Sequence, residues 1–222
     1  MPEAKFRMIL RSVPALYIFN YIWRLNNRIT LKKIVLTVAF MAMSLLPHYI
    51  AAQECTYAVD DKTAGQELKT LPDYLMYEKV FAGTSNFLFF SLSISQGMPL
   101  VNLQLLSKSK DFAKAYCIDK TSRVHVQLAN GKIISLISAT EEQCSSLMYD
   151  ANEKNNIRVL TGVFLFPVGS IEELEKSPIS FIRVKYSSES VDYSIKREFT
   201  SETMKKSYNP ERYFIDYLKC IK

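Results

Sequence analysis

His125 is the single imidazole after residue 52, so a catalytic triad in that region would depend on it. It lies in the run Arg123–Leu128, where apolar and polar residues alternate. This alternation predicts a β-strand with the imidazole on its polar face, among solvated side chains. The sequence also lacks the G-x-S-x-G, H-E-x-x-H and Gly-rich phosphate-binding patterns. We therefore predict no catalytic residue and no cofactor.

Paired carboxylates occur at Asp60-Asp61, Glu141-Glu142 and Glu172-Glu173. A glycosidase needs two carboxyl groups that flank the scissile bond. Adjacent acids point to opposite faces of a strand, and each Glu pair follows a Thr or Ser that could cap a helix. We interpret the acids as solvated or capping residues, and residues 60–65 as a turn without the alternating oxygens of a calcium loop. A carboxylate-based, glycosidase-like hydrolase remains the alternative function.

All four cysteines follow residue 52: Cys55, Cys117, Cys144 and Cys220. An even number of cysteines in an exported region indicates two disulfides in an oxidising compartment. Of the three pairings, we favour Cys117 with Cys144, which closes a hairpin-containing loop, and Cys55 with Cys220, which joins the two ends. Buried reduced thiols are the alternative. The spacing contains no CxxC pair, and we predict no metal site.

The net charge of +6 belongs to the N-terminal segment. Residues 1–52 contain seven Lys or Arg and one acid, whereas residues 53–222 contain 21 bases and 21 acids. Nucleic-acid binding requires a concentrated positive field, so a neutral main region argues against it.

A secretory signal peptide is predicted at residues 31–52. Lys32 and Lys33 precede thirteen uncharged residues, a run too short to span a bilayer comfortably, and Pro47 follows it. Small or tolerated residues at 50–52 favour cleavage before Gln53. The predicted location is therefore periplasmic or extracellular.

Residues 1–30 do not fit a signal peptide, and two hypotheses remain open for them. Synthesis could begin at position 31, so that residues 1–30 are not part of the protein. They could instead form a membrane-associating arm, with Arg24 and Arg28 flanking an interfacial helix. Contact with a membrane is expected only through such an uncleaved N-terminal segment.

Residues 53–222 are interpreted as one β-rich domain. Asn130-Gly131 predicts a two-residue turn between the strand Arg123–Leu128 and a strand at 133–137. Alternating apolar residues and turn signals predict the other strands, at 86–94, 100–106, 157–166, 180–186 and 191–199, with a weaker one at 56–59.

Short helices are predicted between and after the strands. Capping boxes begin at Ser170 and Thr140, and Asn209-Pro210 is a typical helix start. Apolar residues at helical spacing after Pro210 predict a C-terminal amphipathic helix. The predicted fold class is mainly β, an antiparallel sandwich or open barrel with short helices and this C-terminal helix.

Short motifs are spread over residues 53–222: Cys55-Thr56-Tyr57, residues 61–65, the Asn130-Gly131 hairpin, residues 174–184 and Cys220. Together they resemble uncharacterised exported, signal-peptide-bearing β-rich proteins of Bacteroidota. The resemblance implies export and a β-rich domain, and it transfers no catalytic residue.

Aromatic residues cluster in two places, with Phe87, Phe89 and Phe90 in one strand and Tyr208, Tyr213 and Tyr217 near the C terminus. An exposed aromatic patch on a sheet can bind a sugar, a peptide or another subunit. We therefore predict a non-enzymatic domain that binds an unknown protein or small ligand through a sheet face. Two carboxyl groups converging in a concave pocket would favour the hydrolase instead.

Overall fold

The structure is a computed structural model that describes residues 55–63 and 66–222. Residues 1–30, the predicted signal peptide at 31–52, its predicted cleavage site and the last two residues of the predicted turn, 64 and 65, lie outside the described residues. The strands are β1 (Val59–Thr63), β2 (Gln66–Thr70), β3 (Tyr74–Phe81), β4 (Thr84–Ser95), β5 (Met98–Ser109), β6 (Cys117–Ile118), β7 (Arg123–Leu128), β8 (Ile133–Ser138), β9 (Gln143–Cys144), β10 (Ser146–Asp150), β11 (Asn155–Leu165), β12 (Ile179–Lys185), β13 (Ser190–Ser194), β14 (Phe199–Thr200) and β15 (Ser207–Tyr208). Two helices follow β11 and β15, α1 (Ser170–Leu174) and α2 (Tyr213–Tyr217).

Eleven of these strands form one antiparallel sheet. Its order is β1-β2-β4-β5-β11-β8-β7-β12-β13, with β3 also paired to β4 and β10 also paired to β11. The short strands form two further pairs, β14 with β15 and β6 with β9. The described residues therefore confirm the predicted mainly-β, antiparallel fold with short helices.

The sheet bends where β11 changes partner. The first residues of β11 pair with β10, and only Phe164 and Leu165 at its end pair with β8. β4 changes partner in the same way: its first residues pair with β3, and its last residues pair with β2. Because so few ladder bonds join β11 to β8, the two parts of the sheet can fold onto a shared core.

The core is built from the inward residues of both parts of the sheet. Alternate residues of β4 and β5 face the inward residues of β7 and β12, as the pleat of a strand requires. The C-terminal segment completes this core with buried Tyr213, Phe214, Leu218 and Ile221. It consists of α2 between the 3-10 turns Pro210–Arg212 and Leu218–Ile221, and it contacts β3, β4 and β12. The predicted C-terminal amphipathic helix is confirmed.

β4 is buried on both faces. Phe90 points into the main core, whereas Phe87 and Phe89 point outward and are still only 4% and 8% exposed. The β14–β15 hairpin covers them through Tyr208, and Leu75 of β3 joins the same cluster. This outer cluster fixes the position of the hairpin.

Two disulfides fasten the fold. Cys55 is bonded to Cys220 and Cys117 to Cys144, the pairings that the sequence favoured. The second bridge lies across the β6–β9 pair. Two disulfides indicate an oxidising, non-cytoplasmic compartment. In the part of the chain that the structure describes, no helix has the length and apolarity needed to cross a membrane.

The loop at Asn130-Gly131 differs from the predicted two-residue turn. The amide of Leu128 donates to the carbonyl of Lys132, which leaves three residues in the loop. Gly131 has a φ of 85°, and Asn130 has no positive φ. This geometry is that of a turn followed by a glycine bulge, in which one left-handed residue is enough.

The predicted helix at residues 140–143 is wrong. Gln143 pairs with Ile118 as a strand residue, because the neighbouring disulfide holds β9 against β6. Helix α1 does form, but without the capping box: the Ser170 hydroxyl donates to the Pro167 carbonyl at 2.6 Å. The first strand begins at Val59 rather than spanning 56–59, and β13 ends at Ser194, five residues before the predicted end.

Candidate functional site

His125 is held by the facing strand, not by a catalytic constellation. Its Nδ1 atom lies 2.7 Å from the Ser135 hydroxyl, its direct partner across β7 and β8. Burial lowers the pKa of His125, and three nearby cations lower it further, Arg183, Lys185 and Arg123. Among the described residues, no carboxylate bonds to the ring. The pair therefore lacks the acid that orients the histidine of a triad.

The paired acids do not converge on a site. Asp60 and Asp61 lie on exposed β1, and Glu141 and Glu142 lie in an exposed loop. Glu173 bonds to Lys132 and Lys176, and these two hydrogen bonds lower its pKa. In each of four cavities lined by described residues, the lining holds at most one carboxylate. The described residues also contain no cluster of three His, Cys, Asp or Glu that could hold a metal.

An open groove lies on the outer face of β4, β5 and β11, and we call it the outer groove. It consists of two adjoining cavities, of about 480 and 520 Å³. They adjoin because Phe89 of one cavity pairs directly with Gln104 of the other across β4 and β5. Both volumes fall within the usual range for ligand sites, about 300–1,000 Å³.

The first cavity, which we call the polar half of the outer groove, is lined by amides and hydroxyls together with Asp73, Leu103 and Val163. The Asn102 amide donates to Ser91 and Ser93, at 3.3 and 3.1 Å. Gln143 donates to the Thr161 hydroxyl at 3.1 Å. These bonds fix the side chains at the edges of this half and leave their carbonyl oxygens free to accept.

Gln104 lies between these fixed groups. It is half-buried, and its carboxamide forms no hydrogen bond with the described residues. A carboxamide offers both donors and an acceptor, so Gln104 can bond to a ligand group of either kind. Asp73 supplies the single carboxylate of the polar half.

The second cavity is the apolar half. Phe87, Phe89, Leu106 and Ile157 form its floor. Met204 covers one side, and a Lys108–Glu153 ion pair lies on the rim. The apolar half is therefore suited to an uncharged side chain or hydrocarbon group.

The loop that carries Met204 is positioned by a carboxylate from β3. Glu78 accepts from the backbone amides of Glu202 and Thr203, at 3.0 and 3.2 Å. The Tyr208 hydroxyl also donates to the Met204 sulfur at 3.2 Å. The side wall of the apolar half is thus fixed from two directions.

No protein-family model, curated protein or solved structure matches this chain. The resemblance to exported proteins of Bacteroidota stays a prediction.

Proposed function

We propose that this chain is a non-enzymatic binding domain that acts in the periplasm or after secretion. Its target is an extended segment of a partner protein, held in the outer groove. The two disulfides support the compartment, because such bonds persist where the environment is oxidising. The length and the lining of the outer groove support the binding of an extended segment.

The observation that carries the proposal is the unengaged Gln104 carboxamide beside the apolar half of the groove. An extended peptide presents backbone N–H and C=O groups together with side chains. Gln104, Asn102 and Thr161 can bond to the backbone groups, while the half-buried Leu106 and Ile157 receive an apolar side chain. From Asn102 to Lys108, β5 extends about 20 Å, which matches about six extended residues.

The charge of the groove also favours a neutral or weakly basic segment. Lys108 and Glu153 neutralise each other on the rim of the apolar half. Asp73 then remains as the charged group of the polar half. A strongly acidic segment would meet this carboxylate without a cation to balance it. No observation favours the hydrolase, and we do not advance it.

Selection of displayed random peptides on the purified, disulfide-bonded protein tests the proposal. Selected peptides should bind the unaltered protein, and Gln104→Glu should weaken that binding about tenfold, because it removes both amide donors and adds a charge. Gln127→Glu is the matched control, since Gln127 is an exposed strand residue outside the outer groove. Failure to enrich any peptide, or equal weakening by both variants, would refute the proposal.

A further inference from the structure

The strand β10 (Ser146–Asp150) forms an edge of the main sheet. It pairs with β11, and among the described residues it pairs with no other strand. The second side of an edge strand presents backbone N–H and C=O groups that another strand can bond. β10 is therefore a position at which the sheet can continue into another chain.

β10 presents apolar side chains to solvent on both of its faces. Leu147, Met148 and Tyr149 are 42%, 53% and 63% exposed. Because consecutive residues of a strand point to opposite faces, Met148 lies on one face and the other two lie on the opposite face. Exposed apolar residues along a strand edge favour the addition of another strand.

Charged residues interrupt three other edge strands of the same sheet. They are Asp60, Asp61 and Lys62 in β1, Glu78 and Lys79 in β3, and Asp192 in β13. Charges on an edge strand oppose its pairing with a second chain. In β10 the single charged residue is Asp150, at the last position, so the centre of the strand lacks this protection.

The sequence of β10 is complementary to itself in one antiparallel register. When Met148 faces Met148 of a second copy, each Leu147 faces a Tyr149 and each Ser146 faces an Asp150. An aliphatic residue opposite an aromatic one is a favourable cross-strand pair, and this register sets no charge opposite a like charge. Each pair joins positions of the same parity, so their backbone groups point in matching directions.

We propose that this chain forms a symmetric dimer in which β10 pairs with β10 of a second copy. A two-fold axis between the two Met148 residues uses the same strand of both chains, so the assembly closes at two copies. A strand of five residues is small beside the roughly 20–30 residues that each partner gives to a standard interface. The dimer is therefore weak and depends on protein concentration.

The dimer places both outer grooves on one face of a continuous sheet. Met148 pairs directly with Ile157 of β11, and Ile157 lines the apolar half of the groove. Directly opposite residues share a face, so Met148 lies on the groove side of β10. The two-fold axis of an antiparallel strand pair is perpendicular to the sheet, so the grooves of both copies face the same side. The dimer itself does not depend on what the grooves bind.

Sedimentation equilibrium of the purified, disulfide-bonded protein, without peptide, tests the dimer. The weight-average mass should rise from the monomer value towards twice that value as the concentration approaches about 1 mM. Met148→Lys and Met148→Glu each place two like charges beside the two-fold axis, and each should abolish this rise. An equal mixture of the two variants should restore it, because a lysine then faces a glutamate.

Met98→Lys is the matched control, since Met98 is also a methionine in a strand, is 51% exposed and lies outside β10. It should dimerise like the unaltered protein. The thermal midpoint at low concentration should be the same for all variants, because both methionines are exposed in the monomer.

Any of five results would overturn the proposal. The unaltered protein could keep the monomer mass at every concentration or exceed twice that mass. The Met148→Lys variant could dimerise like the unaltered protein or have a lower thermal midpoint. The Met98→Lys control could lose the dimer equally, or the mixture of the two Met148 variants could stay monomeric.

Discussion

Removal of the Cys55–Cys220 disulfide should destabilise the protein more than removal of the Cys117–Cys144 disulfide. The first bridge joins residues 165 positions apart and the second joins residues 27 apart. A longer loop restricts the unfolded chain more, and the chain-entropy relation gives about 5 kcal/mol for the first bridge and about 3.5 kcal/mol for the second.

Burial in the folded state adds to this difference in the same direction. Cys220 is buried in the main core, whereas Cys144 is exposed. Replacing Cys220 by Ala also removes packed sulfur atoms beside the C-terminal segment, and the main core loses those contacts. The gap between the two double variants should therefore be at least about 1.5 kcal/mol.

Urea unfolding followed by circular dichroism measures both values. The comparison uses Cys55→Ala/Cys220→Ala and Cys117→Ala/Cys144→Ala, each against the unaltered protein, with the urea dependence of the unfolding free energy checked for equality. Equal losses, or a larger loss for the Cys117–Cys144 variant, would show that the bridge between the two ends does not control the stability of the C-terminal segment.

Three further predictions concern single side chains. A Cβ atom at position 162 would lie 2.6 Å from the Cδ1 atom of buried Ile118. Gly162→Ala should therefore lower the free energy of unfolding, measured in urea, by about 1–3 kcal/mol. Adding Ile118→Val should recover most of this loss, and no recovery would show that the clash with Ile118 is not its cause. The pKa of His125 is lowered, so the unfolded chain binds the proton first as the pH falls, and the free energy of unfolding should decrease below about pH 6.5. His125→Gln should reduce this dependence of the unfolding free energy on pH. An unchanged pH dependence would show that other titratable groups cause it. The buried hydroxyls of Tyr186 and Tyr193 share a 2.9 Å hydrogen bond. Tyr193→Phe should lower the free energy of unfolding by about 1–3 kcal/mol, because it leaves the Tyr186 hydroxyl without its partner, and Tyr186→Phe/Tyr193→Phe should lower it less. Losses that add between the two single variants would contradict this prediction.

Alternation of apolar and polar residues predicts strands that have one buried face. In β7, polar residues alternate with Val124, Val126 and Leu128, which all face the core. The period-two pattern in the sequence therefore predicts which of these residues are buried. The pattern fails at β3, which the sequence does not predict. Leu75 is buried in the outer cluster and Met76 in the core, and the register shift after Leu75 places Tyr77 against the core as well. Adjacent residues of β3 are therefore buried, and apolar residues do not alternate with polar ones.

The candidate site could be predicted only in part, for a similar reason. Asn102 and Gln104 occupy the alternate positions of β5 that face away from the core, so their exposure on the outer face follows from the pattern. Gln143 and Met204 reach the groove through a disulfide-bonded strand pair and a docked hairpin. These contacts join residues far apart in the chain, and local patterns carry no information about them.

The central claim is that the outer face of β4, β5 and β11 holds the partner segment. Amide chemical-shift mapping by NMR, with a selected peptide titrated into the full, disulfide-bonded protein, tests it most directly. We expect the largest shifts at residues 87–91, 102–108 and 157–163. Shifts confined to β7, β12 and β13, with the outer face unperturbed, would contradict the claim.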